Sequence, residues 1–185
     1  FLATEDHTFY AHKGVRPDAI LNAAFQGLQT GNFRGASTIT QQVVRNIEDL
    51  SVGKEVTPER KIREMITALQ VEREFTKDEI LELYLNQIFL GISAYGVEAA
   101  SQQYFGKSCR ELTIAEAATM AGLTRAPNAN EPIHNPVNAK TRRDIVLGQM
   151  LDPENAFITQ AQYDAAMAED LDVSVITPEE RLERE

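Results

Sequence analysis

Residues 76–91 read Thr76-Lys77-Asp78-Glu79-Ile80-Leu81-Glu82-Leu83-Tyr84-Leu85-Asn86-Gln87-Ile88-Phe89-Leu90-Gly91. Thr76 and Glu79 have the spacing of a capping box, in which each side chain satisfies the other's backbone N–H. Ile80, Leu81, Tyr84, Leu85 and Ile88 follow at helical spacing, and Gly91 is a stop signal. The stretch is therefore expected to be a capped helix with one apolar face. The same grammar recurs in both directions along the chain.

Upstream, Thr57-Pro58 reads as an N-cap and first helical position. Ile62, Met65, Ile66 and Leu69 supply the expected apolar stripe of that helix. Residues 48–56 carry no period and read as a mobile loop. Ser37 and Thr38 can cap a helix running to about Ile47. An earlier helix starts at Pro17, carries Ile20, Leu21, Ala24 and Leu28, and ends at Gly31.

Downstream, Thr113 and Glu116 form another box, opening an Ala-rich helix that ends near Gly122. Its small residues point to close helix packing. Asn135-Pro136 starts a helix through Met150, and Thr159 with Gln162 starts one through about Glu169. Val173–Ile176 reads as a short strand, and the acidic end, PEERLERE, as a fraying helix or the start of a linker. There is no internal repeat and no low-complexity tract. The fold class is mainly α.

The chain has 185 residues, 43% apolar and 25% charged, a size and balance suited to one globular domain spanning residues 1–185. Residues 171–185 are read as the start of a linker. Acidic residues number 28 against 18 basic, for a net charge of −10. Such a chain lacks the basic face that nucleic-acid binding requires, although a local cationic pocket remains compatible with it. The single cysteine, Cys109, excludes an internal disulfide and a cysteine-built zinc site, and reads as a small surface or half-buried residue. No run approaches the roughly 18 apolar residues of a membrane-spanning helix. The chain begins at Phe1 without Met or a signal peptide, and is read as a fragment of a longer protein.

Four places carry candidate chemistry. The first, EDHTFYAHKG at residues 5–14, gathers two carboxylates, two imidazoles and two aromatic rings. A carboxylate among aromatic rings is a natural general base, because apolar surroundings disfavour its charged form. Read alone, the segment serves equally as a polar helix end with Glu5 and Asp6 solvated. His7 and His12 lie five apart, off a shared helical face, and so read as hydrogen-bonding residues rather than a metal pair.

The second place, GASTITQQVVRN at residues 35–46, leads a small-residue turn into a hydroxyl-rich helix start. Free N–H groups and the helix dipole favour anions there, and Thr38, Gln42 and Arg45 fall on one face. Capping alone would need one hydroxyl, so the surplus favours ligand binding. In the third, Arg60-Lys61-Ile62-Arg63-Glu64, Glu64 can reach Arg60 at i,i+4 and Lys61 at i,i+3. As a surface pair this contributes roughly 0.2–0.5 kcal/mol. The two cations sit in a first helical turn, where the dipole disfavours them, and so call for an anionic partner. The fourth place, Glu82 to Asn86 with Arg125-Ala126-Pro127, reads as structural support. Together these features suit glycosyl transfer from an activated phosphate donor. One carboxylate takes the acceptor's proton, and the cations stabilise the departing phosphate.

EDHTFYAHKG, GASTITQQVVRN, RKIRE, ILELYLNQI and AGLTRAP, in that order, resemble the peptidoglycan glycosyltransferase domain of class A penicillin-binding proteins and monofunctional transglycosylases. NPVNAKTRRDIVLGQM and ITQAQYDAAM resemble that family's closing helices. The resemblance implies a lysozyme-like helical fold with a smaller membrane-proximal lobe. It also implies polymerisation of lipid II, a disaccharide-peptide on undecaprenyl pyrophosphate. Glu5 would be the base on the acceptor GlcNAc 4-hydroxyl, with inversion at the donor sugar. Glu64, Arg60 and Lys61 would meet the donor pyrophosphate. Asp6, Phe9, His12, Ser37, Thr38, Gln42 and Asn46 match positions that shape the site.

Three departures stand out. Ala36 replaces a family Gly, a change compatible with negative φ. Arg45 replaces a Lys, keeping the charge on a planar fork. The loop before Arg60 is longer than common. The resemblance further implies a divalent cation such as Mg2+ at the pyrophosphate, for which the sequence shows no dedicated cage. The implied partners are lipid II, the growing glycan strand, the membrane surface through an N-terminal anchor, and a fused transpeptidase domain. The implied location is the bacterial cell envelope, on the outer face of the cytoplasmic membrane. Two rival readings are a lysozyme-like peptidoglycan-cleaving enzyme and a non-catalytic module that binds cell-wall lipid. A glycosidic-bond hydrolase has no phosphate leaving group to neutralise, so Arg45, Arg60 and Lys61 favour transfer.

Overall fold

The computed structural model describes residues 1–22, 37–47 and 57–177, the side chains of Asp172 and Val173 excepted. The expected loop at residues 48–56 and the second half of the helix expected from Pro17 lie outside these residues, although residues 17–22 are helical. The described residues form helices joined by short turns, with one isolated antiparallel bridge, Phe89 to Tyr95. The mainly α class is as expected. The chain divides into two compact units. One comprises Phe1–His7 with Leu85–Glu185, and the other Thr8–Tyr84.

In the Thr8–Tyr84 unit, Thr38 caps the helix Ile39–Asn46 through a capping box with Gln41. Thr57 caps Pro58–Glu74, with Pro in the first turn as expected. Thr76 and Glu79 exchange hydrogen bonds at the start of Lys77–Gln87. Val44 and Ala68 form a small core with Val15 and Val71.

The apolar stripe expected on Pro58–Glu74 is a correction. Ile62, Ile66 and Leu69 are 53%, 53% and 42% exposed, while the buried residues of that helix are Glu64 and Ala68. Positions 62 and 66 lie on roughly the opposite side of the helix from 64 and 68, at about 100° per residue. The small Ala68 side chain, set against Val44, and the paired Glu64 select the buried face.

In the other unit, the helices Ile114–Gly122 and Pro136–Leu151 pack along each other. Ala115, Ala118 and Ala121 meet Val146 and Leu147, with Ile158 and Ala166 closing the cluster. A methyl group added at Gly122 would stand 3.1 Å from Arg142 Cβ. The small residues thus permit close approach of two helices, as their composition suggested. Arg143 has no exposed surface. Its guanidinium pairs with Asp144 and donates to the Glu169 carbonyl at 2.9 Å, fastening the end of the Gln160–Ala168 helix.

Two further expectations change. The helix from Lys77 stops at Gln87, short of Gly91. A tight connection follows, with Leu90 N–H donating to Ala94 O at 2.9 Å and Gly96 N–H to Ile88 O at 2.8 Å. Its backbone is left-handed at Gly91 (φ 93°), Ile92 (42°) and Ser93 (63°). A Cβ at Gly91 would meet Tyr104 Oη at 2.8 Å, so glycine is required there for space as well as for φ. The strand expected at Val173–Ile176 is absent. Leu171–Ser174 is a helical turn, and the described residues hold no strand for it to pair against. Leu171 and Ile176 are buried, and Ile176 N–H donates to Tyr104 O at 2.9 Å. The helix Val97–Phe105, which the sequence reading did not single out, ends on Gly106 in a left-handed cap.

Candidate functional site

Glu5 is the last residue of the Leu2–Glu5 turn, and Asp6, almost fully buried, is its C-cap. Thr124 Oγ1 lies 2.7 Å from Glu5 Oε1 and 3.0 Å from the Ala121 carbonyl oxygen. Burial lowers the Arg142 guanidinium from its ordinary range, the nearby Arg125 charge adds to this, and the Glu5 carboxylate opposes both. Thr124 and Arg142 were not among the sequence candidates. Both are over a hundred positions from Glu5, and nothing in the local pattern of either marks the contact.

In the Thr8–Tyr84 unit, Phe9 is fully buried. Its ring meets those of Tyr10 and His12 edge-on, at centroid distances of 5.2 and 6.1 Å. Lys77 Nζ sits 4.3 Å from the Phe9 ring centroid, a cation–π contact. The same ammonium pairs with Glu72 at 2.6 Å, and Glu72 also accepts from Thr40 Oγ1 at 2.5 Å. His12 Nδ1 accepts from Gly14 N–H at 3.0 Å, so the proton of the neutral ring is carried by Nε2.

Ser37, Arg60, Lys61 and Glu64 come together. Glu64 has no exposed surface, Arg60 Nη1 lies 2.6 Å from its Oε2, and Lys61 Nζ pairs with its Oε1. Lys61 Nζ also donates to Ser37 Oγ at 2.9 Å. The two cations placed against the helix dipole therefore have an anionic partner within the chain. Both remain partly open to water, at 14% for Arg60 and 31% for Lys61. Two positive charges against one negative leave the cluster at net +1, in a chain of net −10.

Thr38 is buried and committed to structure. Its Oγ1 donates to Gly14 O at 2.6 Å and accepts from Gln41 N–H at 3.1 Å. Gln42 is half-buried, and Arg45 and Asn46 are exposed further along the same helix. Glu82 and Asn86 are exposed. Among the described residues there is no group of three or more His, Cys, Asp or Glu arranged to hold a metal ion.

The described residues are mainly helical, with a buried carboxylate paired to two part-exposed cations, and the chain belongs to the transglycosylase family, whose model matches residues 1–151. It is 47% identical over 180 residues to penicillin-binding protein 1A of Escherichia coli (strain K12), covering 97% of the chain and 21% of that protein. It is 48% identical over 174 residues to penicillin-binding protein 1A of Aquifex aeolicus (strain VF5), covering 94% of the chain and 23% of that protein. The chain thus spans about a fifth of the length of the curated relatives it matches. A crystal structure of penicillin-binding protein 1A from Haemophilus influenzae aligns with 71% of the chain and 16% of that protein, with a TM-score of 0.49 and 37% identity.

Proposed function

We propose that this domain polymerises lipid II into peptidoglycan glycan strands by inverting glycosyl transfer. The observation that carries the reading is the Glu64 cluster. Its part-exposed cations offer a net positive site to a pyrophosphate, and burial strengthens that field relative to open water. Arg60 and Lys61 meet the donor's pyrophosphate, with Ser37 holding the ammonium in place and Glu64 holding both cations. Arg45, exposed on the neighbouring helix, adds a guanidinium fork suited to phosphate oxygens. Phe9, His12, Thr38, Gln42 and Asn46 are assigned to substrate binding in the Thr8–Tyr84 unit, and Asp6 beside Glu5 in its own unit.

Glu5 is the general base. As the acceptor's GlcNAc 4-hydroxyl attacks the anomeric carbon of the donor MurNAc, its O–H bond breaks and the proton passes to the Glu5 carboxylate. The bond to the pyrophosphate breaks on the opposite face, and the leaving group departs with the electron pair. A magnesium ion carried in with the pyrophosphate would draw its ligands largely from phosphate oxygens and water and would neutralise charge there. The parent protein's partners are lipid II, the growing strand, a membrane surface and a fused transpeptidase domain, at the outer face of the cytoplasmic membrane.

A lipid II polymerisation assay, run beside incubation with finished peptidoglycan, tests the reading. Glu5→Gln should lower polymer formation by about 100-fold or more, the range of positioned general bases, with the thermal unfolding midpoint unchanged. Unchanged turnover in this variant, or cleavage of finished peptidoglycan without lipid II consumption, overturns it.

A further inference from the structure

Thr124 stands where one hydroxyl faces two acceptors. Its Oγ1 is 2.7 Å from Glu5 Oε1 and 3.0 Å from the carbonyl oxygen of Ala121, one turn back along its own chain. A hydroxyl carries a single proton and two lone pairs. It can therefore donate to only one of the two oxygens at a time, and which one depends on the protonation of the carboxyl group.

We propose that Thr124 is a positioning residue for Glu5, a hydroxyl rotor that hydrogen-bonds the carboxyl group both before and after it takes a proton. This rests on the reading of Glu5 as the general base. With Glu5 ionised, the Thr124 proton points at Oε1, and the charge-assisted bond favours the reactive carboxylate. When the acceptor's O–H bond breaks and its proton joins the Glu5 carboxyl group, that group becomes a donor. With the proton on Oε1, it donates to Thr124 Oγ1 and the hydroxyl proton turns to the Ala121 carbonyl; with the proton on Oε2, Oε1 still accepts from Thr124. Neither outcome moves a heavy atom, so the base keeps its geometry through the transfer. A fixed N–H in the same position could only donate, and would oppose a proton on Oε1.

The Ala121 carbonyl suits this role because Leu123–Arg125 is a 3-10 turn following the helix Ile114–Gly122. Carbonyls in a last helical turn lack their usual backbone donors and can accept from a side chain. Other charged groups that act on this corner include Arg142, from Pro136–Leu151, and Arg125, whose charge acts on Arg142.

The test compares Thr124→Val and Thr124→Ser with the unaltered chain, reading kcat, KM and the pH–rate profile of lipid II polymerisation. Valine keeps the shape and removes the hydroxyl, and serine keeps the hydroxyl. The Arg125 and Arg142 charges are common to all three, so a change confined to valine reports the hydroxyl. Thr124→Val should lower kcat by about tenfold, as expected for loss of a hydrogen bond to a charged group. KM should stay unchanged, and the acidic limb of the profile should move to higher pH. Thr124→Ser should restore both. Glu5→Gln, measured in parallel, separates the two ideas. If Glu5→Gln is inactive while Thr124→Val keeps its kcat and its acidic limb, the rotor is overturned and the base stands. If Glu5→Gln is active, both fall.

Discussion

Arg60 Nη1 lies 2.6 Å from Glu64 Oε2, one helical turn away, and that carboxylate has no contact with solvent. On an exposed helix the same i,i+4 pair would contribute a few tenths of a kcal/mol. Here the carboxylate is buried and holds Lys61 as well, so removing it strands two cations in a first turn whose dipole already disfavours them.

Glu64→Ala should therefore destabilise the fold by roughly 2–3 kcal/mol. This is less than the roughly 3–5 kcal/mol for breaking a fully buried pair, because Arg60 and Lys61 still reach water. Urea unfolding measures it. A change below about 0.5 kcal/mol, the size of an exposed pair, would show that the ion pair is not held in solution.

Backbone strain in the Gly91–Ser93 turn makes opposite predictions at two neighbouring positions. Ser93 is exposed with φ 63°, so Ser93→Gly removes a strained Cβ without losing packing. It should stabilise by roughly 0.5–1 kcal/mol, after allowing for the greater freedom of glycine in the unfolded chain. Gly91→Ala places a Cβ 2.8 Å from Tyr104 Oη, which itself donates to Leu90 O at 2.7 Å. That variant should lose about 2 kcal/mol or more, through strain and through a displaced buried hydrogen bond. Thermal unfolding of the pair reads both signs.

Acid should act at Glu98. The Gln102 amide, the Cys109 thiol and amide, and Ser108 donate to its carboxylate and lower it from the ordinary 4.5 to about 2. A group lowered on folding stabilises the native state fully above its unfolded value, and loses that contribution as pH falls through the folded value. Between about pH 5 and pH 2, the unfolding midpoint of the unaltered chain should fall further than that of Glu98→Gln. Parallel falls in the two proteins would show that this cluster does not hold in solution. The same contact pushes the Cys109 thiol up, because its S–H donates to Glu98, in keeping with an unreactive cysteine.

Much of the helical framework was legible in advance, for a specific reason. Thr38 with Gln41, Thr76 with Glu79, Thr113 with Glu116 and Thr159 with Gln162 are reciprocal caps between residues three apart. Their geometry depends on little beyond the local chain. The opposite held for helix faces. Ile62, Ile66 and Leu69 form a clean periodic stripe, yet the helix buries Glu64 and Ala68. A period shows that a helix has two faces, and the surrounding structure decides which one is inside.

By itself the sequence determined where most of the longer helices begin, Val97–Phe105 excepted, the mainly α class, and the ordered motifs that mark the family. It also determined that Arg60, Lys61 and Glu64 can meet, since spacings of three and four place them on one side of a helix. Only the tertiary structure decided that Glu64 is wholly buried, that Ser37 joins Lys61 across 24 positions, and that Thr124 joins Glu5 across 119. It also decided that Thr38 is spent on Gly14 and its own cap. Caps and spacings are set by bonds and angles within a turn. Burial and distant hydrogen bonds are set by which surfaces the folded chain brings together.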